Sequence, residues 1–269
     1  MMSLKRTLDR LMDSGKIVTP RYLKFLAEHG DDPYPPWVVD VIAEQLKKTP
    51  RDRSGTFSAA SAGACLRAQE LEYLGAGPTD LTGEVSPGLM AIFKDGKWRH
   101  LKWQADLLAA GIIEEIEYSA PWRSKRAVGT LDGLGVVPDT HGVGSWRGEL
   151  FGAELKGVNA WQYPKLVSAP YPKEDHMRQV HRYFVLTGVR LFSVIYENKS
   201  TQDFHEWVVR PIPRLLDESR QELEELNRAV ERKELHRILA PCRHRSGKQW
   251  EGCKFSGEDG PCESAGTWL

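Results

Sequence analysis

The chain has no excess of either charge. Its 37 Lys and Arg balance 37 Asp and Glu, so no global positive field advertises a nucleic-acid partner, and any contact with a polyanion must come from a local basic cleft. No apolar run reaches membrane-spanning length. The opening residues, MMSLKRTLDRLMDSGK, alternate charged and apolar types without a continuous apolar stretch, which argues against a secretory signal; the expectation is a cytoplasmic protein. Internal repeats and low-complexity segments are also missing, so a repeat array is not expected. Cysteine is scarce, with four in the whole chain, and in a reducing compartment four thiols are better read as metal ligands or buried apolar residues than as disulfides.

What is present is enough for an ordinary globular protein. The 269 residues are 41% apolar, sufficient to bury a core in one large domain or two modest ones. Residues 1–50 suggest short helices broken by the proline-rich joint from Asp32 to Pro36. Ser58 to Gly75 reads as a helix capped by serine and ended by glycine, and Gly96 to Ala110 as a second, with Trp98, Leu101, Ala105 and Leu108 on one stripe. Strands are predicted from Ile112 to Tyr118, Gly129 to Val137 and Glu149 to Lys156. A helix follows from about His176 to Leu186, then strands Leu191 to Tyr196 and Phe204 to Val209, then a long helix from Arg214 to His236. This order implies an α/β or α+β core with helices on both sides of a sheet.

Chemistry concentrates in the third predicted strand. Glu154 and Lys156 are two apart, so both project from one face while Leu155 packs on the other, and a carboxylate and an ammonium converge. Phosphodiester hydrolysis by a metal enzyme needs carboxylates to hold divalent ions and a cation to position water and offset charge in the transition state. An acid two before a lysine also occurs at Asp95/Lys97, Glu197/Lys199 and Glu231/Lys233, and an isolated pair of this kind is ordinarily a solvated surface pair. Context favours Glu154. Asp132 lies in an otherwise apolar strand, where a carboxylate is costly unless it binds metal or pairs. His100 flanks an apolar helix stripe, and Gln179 and Tyr183 are four apart on one helix face. Glu197/Lys199 also ends an apolar strand and is the serious competitor, but no Gln/Tyr helix follows it.

The series Gly96-x-x-x-His100, Gly129-Thr130-Leu131-Asp132, Glu154-Leu155-Lys156 and Gln179-x-x-x-Tyr183, in this order, resembles the RecB-like branch of the PD-(D/E)xK nucleases; the segment from Phe57 and Ser58 to Arg67 resembles the start of that family's domain. The resemblance covers residues 57–210. It implies a central mixed β-sheet flanked by helices, a restriction-endonuclease-like core, with His100, Asp132, Glu154 and the Leu155 carbonyl as ligands for Mg or Mn. Lys156 would position the attacking water, and Gln179 and Tyr183 would orient the lysine or the DNA. The implied activity is that of a DNA exonuclease acting on ends, single-stranded and 5′ to 3′, in recombination and repair, phage replication or CRISPR adaptation. A helicase, recombination or CRISPR integrase partner would accompany it. The alternative is a non-catalytic DNA-end binding or assembly subunit of such a complex.

The cysteines sharpen this. Cys242, Cys253 and Cys262 are separated by ten and eight residues, with Cys65 far upstream. A zinc ribbon normally pairs thiols two to four residues apart, and no such pair exists. One cysteine before the nuclease motifs and three after them is similar to the iron-sulfur subgroup of the family, which includes AddB and the CRISPR-associated protein 4 exonucleases, and implies a 4Fe-4S cluster on Cys65, Cys242, Cys253 and Cys262. Zinc, helped by His244, and free thiols remain alternatives. A cluster would tie the helix at Cys65 to an irregular tail too poor in apolar residues to fold alone, and closing so long a loop is worth on the order of 5 kcal/mol. The division expected is a helical N-terminal extension over 1–56, a nuclease core over 57–240 and a cysteine-rich tail over 241–269. Arg123, Lys125, Arg126, Lys165 and Lys173 could bind phosphates, with a solvated loop the default reading, and Trp161 and Tyr163 could stack on unpaired bases, with plain core packing the favoured reading.

Overall fold

The computed structural model of the chain describes residues 15–49, 54–76, 87–138, 146–237, 255 and 262. Two helices, α1 (Thr19–His29) and α2 (Pro36–Lys47), each carry proline in the first turn, where the missing N–H costs nothing, and the expected proline joint lies between them. The segment predicted as one helix from Ser58 is instead a short strand β1 (Phe57–Ser58), a 3-10 turn (Ala59–Ser61) and a helix α3 (Leu66–Tyr73). The Ser58 hydroxyl accepts the Ala60 N–H and Gly63 takes φ +75, so the chain turns before the helix can start. The helix predicted from Gly96 is the second half of a longer one, α4 (Pro87–Ala109).

The remaining elements are β2 (Glu115–Trp122), β3 (Ala127–Val136), β4 (Leu150–Val158), a short α5 (Tyr163–Val167), α6 (Glu174–Thr187), β5 (Leu191–Asn198), β6 (Phe204–Val209) and α7 (Pro213–Arg232). Ile112 and Ile113, expected to open the first long strand, sit in the turn after α4, where their N–H groups bond to Leu107. The last helix stops four residues short of His236, with Lys233 at φ 55.

The strands form one mixed sheet in the order β1-β3-β4-β5-β6, with β2 along the other edge of β3. The β4–β5 pair is parallel and joined through α6; β2–β3, β3–β4 and β5–β6 are antiparallel. Helices cover both faces, as the predicted order required. On one face the segment leading into α1, with α1, α2 and α4, supplies Ile17, Val18, Tyr22, Val38, Trp103 and Leu108 to a core shared with Phe151, Leu155 and Ile195. On the other, Met177, Val180, Tyr183 and Phe184 of α6 pack on Leu131, Phe192, Val194 and Tyr196. Each such fully buried side chain contributes roughly 1.5–3 kcal/mol of apolar burial.

Two buried polar clamps fix the layers. Glu206 of β6 accepts the backbone N–H groups of Ile17 (2.8 Å), Val18 (3.0 Å) and Thr19 (2.7 Å) and the hydroxyls of Thr19 and Ser193, so one carboxylate caps α1 from 190 residues away in sequence, to the nearest ten. Arg182 of α6, with no exposed side-chain surface, bonds Ser219 (3.0 Å) and pairs with Glu222 (2.9 Å) of α7.

Candidate active site

The β3–β4 ladder runs from Val136↔Leu150 to Gly133↔Ala153 and then stops. Farther back, the same edge of β3 pairs with β1 at Ala127 and Val128. Between these two partners the strands part, and Asp132 stands at the fork. The Leu155 N–H donates to Asp132 Oδ2 (2.7 Å), a side chain taking the place of the ladder acceptor. The pleat of the neighbouring pair changes sides at the same level. Ile116 and Gly133 face the α1/α2/α4 layer, whereas Tyr118 and Leu131, two residues along each strand, face α6. Residues two apart share a face in a regular strand, and the break is made by Glu117, which lies opposite Asp132 with φ 50.

Glu154 and Lys156 point from β4 toward α6, and Leu155 packs on the opposite core. Lys156 Nζ lies 2.6 Å from Glu154 Oε1 and donates to Gln179 Oε1 at 3.1 Å. The Gln179 amide donates in turn to Glu154 Oε1 (2.9 Å) and to the Tyr183 hydroxyl (2.8 Å), and Tyr183 donates to the Thr130 carbonyl (2.9 Å). Gln179 thus ties α6 to both Glu154 and Lys156 of β4, and Tyr183 ties it to β3. His100, on α4, sits with Nδ1 3.3 Å from Asp132 Oδ1. All six polar side chains singled out in the sequence are brought to one place.

Gly129 explains itself here. A Cβ at that position would lie 2.7 Å from the Tyr183 ring and 3.0 Å from Leu186, so only glycine lets α6 approach β3 closely enough for the Tyr183 bond.

The electrostatics follow from burial. Glu154 is 3% exposed, and desolvation together with the nearby Asp132 charge pushes its pKa up to about 7. Its Oε2 is buried without a hydrogen-bond partner among the described residues. Burial also pushes Asp132 upward, but His100, Lys156 and the Leu155 N–H outweigh it and hold the acid below its ordinary value. Asp132 raises His100 to about 9. Burial pulls Lys156 down, and Glu154 and Asp132 more than offset it, so the ammonium is retained.

Two carboxylates in mutual repulsion, one with an unpartnered buried oxygen, and an imidazole beside them form a hard oxygen and nitrogen donor set suited to a divalent cation. As they stand, these side chains are turned to one another and to Lys156: among the described residues no three His, Cys, Asp or Glu side chains enclose a metal position. Two further residues belong to this site and were not singled out from sequence. Gln104 donates to Glu117 Oε1 (2.9 Å) and to the Asp132 carbonyl (3.0 Å). Its signal was its place one helical turn after His100. A cavity of about 590 Å³ adjoins this side, with Lys97, His100, Gln104, Glu117, Thr130 and Tyr183 in its wall.

The competing triplets fall elsewhere. Glu197 is fully buried on the opposite face of the sheet, paired with Arg99 (3.1 Å) and Lys102 (3.7 Å) of α4. Asp95 and Lys97 lie two apart on a helix and diverge, and Glu231 and Lys233 straddle the end of α7. Of the expected phosphate contacts, Lys125 pairs with Glu224, and Arg126 bonds Asn227 and pairs with Glu231, so both are engaged with α7; Arg123 opens the 3-10 turn that carries them. Lys165 and Lys173 are exposed. Trp161 is 76% exposed, whereas Tyr163 packs in the α6-side core.

Cys65 and Cys262 are half-buried, while Cys242, Cys253 and His244 lie outside the described residues. Arg67, two residues after Cys65, donates to the carbonyls of Cys262 (3.0 Å) and His236 (2.9 Å), and Glu70 accepts the His236 N–H (2.8 Å) and pairs with its imidazole. Helix α3 therefore holds both the chain after α7 and the backbone at Cys262.

No family model matches the chain, and no curated protein matches it in sequence. Among solved structures it is similar to LHK-Exo in complex with dAMP, at 15% identity and a TM-score of 0.47, over 67% of this chain and 90% of that one. A second structure of LHK-Exo, an alkaline exonuclease from Laribacter hongkongensis, gives 15% identity and 0.45 over the same shares. The protein SSO0001 gives 16% identity and 0.43, over 81% of this chain and 91% of that one.

Proposed function

We propose that the chain is a metal-dependent deoxyribonuclease of the RecB-like PD-(D/E)xK type that hydrolyses phosphodiester bonds from DNA ends. The observation that carries this reading is the hydrogen-bonded unit made by Glu154, Lys156, Gln179 and Tyr183 at the fork between β3 and β4, with Asp132 held beside it by the Leu155 N–H. Residues that would hold Mg or Mn are Asp132, Glu154, His100 and the Leu155 carbonyl. A bound divalent ion supplies Lewis acidity toward the phosphoryl oxygens and lowers the pKa of water.

The chain's own part is positioning and charge. Lys156 keeps its proton and is aimed by Glu154 and Gln179, so its ammonium can orient a water and offset charge that develops on the phosphate. Tyr183 holds Gln179 and thereby the lysine. The substrate is DNA ends, single-stranded and cut 5′ to 3′ by the family resemblance, within recombination and repair, phage replication or CRISPR adaptation, alongside a helicase, recombination or CRISPR integrase partner. A 4Fe-4S cluster on Cys65, Cys242, Cys253 and Cys262 is the further part of the proposal, with zinc the lesser choice. The anchoring of the Cys262 backbone by Arg67 supports it, because it brings that residue to the helix that Cys65 opens.

The test is anaerobic purification, with iron, zinc and acid-labile sulfide measured, followed by assays of end-labelled linear and closed circular DNA with Mg or Mn. Linear DNA should be degraded and circular DNA spared, and Lys156→Ala or Glu154→Ala should fold, keep the brown colour and lose at least about 10³-fold in rate. Binding without cutting by the unaltered protein would instead indicate an end-binding assembly subunit.

A further inference from the structure

Beside the catalytic lysine lies a second set of polar groups with no part in the unit above. Lys156 and Tyr196 are register partners on the parallel strands β4 and β5, and both face α6. The Tyr196 ring is fully buried, and its hydroxyl meets two groups at the start of α6: it accepts the Lys173 N–H at 2.9 Å and lies 2.6 Å from His176 Nδ1. That pair fixes the imidazole. If Nδ1 carried the proton, the Tyr196 O–H would have no acceptor among the described residues, a buried donor left unmade. The hydroxyl therefore donates to Nδ1, and the ring's own proton sits on Nε2. Burial and the Lys156 and Lys173 charges drive the imidazole pKa down to about 3, so the ring is neutral and keeps this tautomer.

His176 Nε2–H has no protein partner among the described residues, and the ring is only partly exposed. The charges that act on it are two ammonium groups, Lys156 and Lys173. Lys173 is exposed and N-terminal to α6, where the first turn adds further positive potential. Glu174 in that turn is drawn aside by Arg178 at 2.9 Å. Asp175, the other acid of that turn, is exposed, and a fixed neutral donor flanked by two cations is complementary to a singly charged phosphodiester, which offers acceptors alone.

We propose that His176 Nε2–H and the Lys173 ammonium form a subsite for a backbone phosphate of the DNA strand adjacent to the bond being cut, with Tyr196 as the positioning residue that fixes the imidazole. The proposal rests on the nuclease reading, and it adds a second phosphate contact that sets strand register at the metal site.

The test uses the full-length protein with a short end-labelled oligonucleotide, single-stranded and duplex. Affinity is read with Ca replacing Mg, and KM and kcat are read with Mg or Mn. His176→Ala should raise Kd and KM about tenfold with kcat nearly unchanged and Tm lowered by the loss of the Tyr196 hydroxyl's acceptor, and His176→Gln, which restores an N–H near the Nε2 position, should recover most of the loss in Kd and KM. Tyr196→Phe should fall between the two. Lys173→Ala should weaken binding and reduce the salt slope of log Kd by about one. An unchanged Kd and KM in His176→Ala would overturn the subsite while leaving the nuclease reading intact. Equal losses of affinity in His176→Ala and His176→Gln would overturn it in favour of a structural histidine. Unaltered protein that neither binds nor cuts would overturn both readings together.

Discussion

At the scale of single residues, the site is governed by one buried acid and one glycine. Glu154 has its pKa raised from the ordinary carboxylate value to about 7, so the folded state holds a proton that the unfolded chain has already released. This contribution to stability is fully present below about pH 4.5 and is lost as pH rises through about 7. Glu154→Gln cannot titrate, so in metal-free buffer its Tm relative to the unaltered protein should climb between about pH 4.5 and 7 and level off above; a difference independent of pH would contradict the assignment. Gly129 acts through space. Alanine there would drive a methyl group into the Tyr183 ring, so Gly129→Ala should cost about 1–3 kcal/mol in denaturant titration and lower kcat through the displaced Tyr183–Gln179 pair.

At the scale of elements, function depends on helices being set at fixed heights against the sheet. Helix α4 carries His100, and Arg99 beside it pairs with the buried Glu197 of β5, so the triplet that competed with Glu154 in the sequence instead seats the helix that supplies the histidine. Removing Glu197 would leave the largely buried Arg99 guanidinium without its buried partner, a change of up to about 3–5 kcal/mol, whereas Lys102 is exposed enough to be hydrated. The same logic applies to α1. Glu206→Ala would strand the buried N–H groups of Ile17, Val18 and Thr19 at roughly 1–3 kcal/mol each before water enters. Hydrogen exchange should then speed up over residues 17–29 ahead of the sheet, whereas Glu206→Gln, with one acceptor left, should show a smaller effect.

At the scale of the molecule, the expected cluster would join the two ends of the fold. Arg67 and Glu70 of α3 already bind the backbone at Cys262 and His236, and a cluster would convert these bonds into a covalent tie. Removing iron should therefore lower Tm by roughly 10–20 °C and open the chain beyond α7 to protease. An unchanged melting curve after iron removal would show that the tail is held without it.

The local pattern determined much of this protein. Alternation along Leu150–Val158 set Glu154 and Lys156 on one face and Leu155 on the other, and the spacing of Gln179 and Tyr183 set them on one side of α6, because periods of 2 and 3.6 are properties of the backbone itself. Local pattern misread the segment after Ser58, where Gly63 and a serine turn overrode apolar spacing, and it missed the first half of α4, whose exposed Ile92 and Phe93 leave no one-sided stripe. The following Gln/Tyr helix already favoured Glu154 among the four acid-x-lysine triplets, but only the tertiary structure decided that Glu154 faces that helix while Glu197 faces α4, because the face a strand presents to a neighbour depends on the order of strands in the sheet. It also decided that Glu117, Gln104, His176 and Tyr196 gather around the site. These residues come from separate elements and share no sequence period, so their meeting is a product of packing alone.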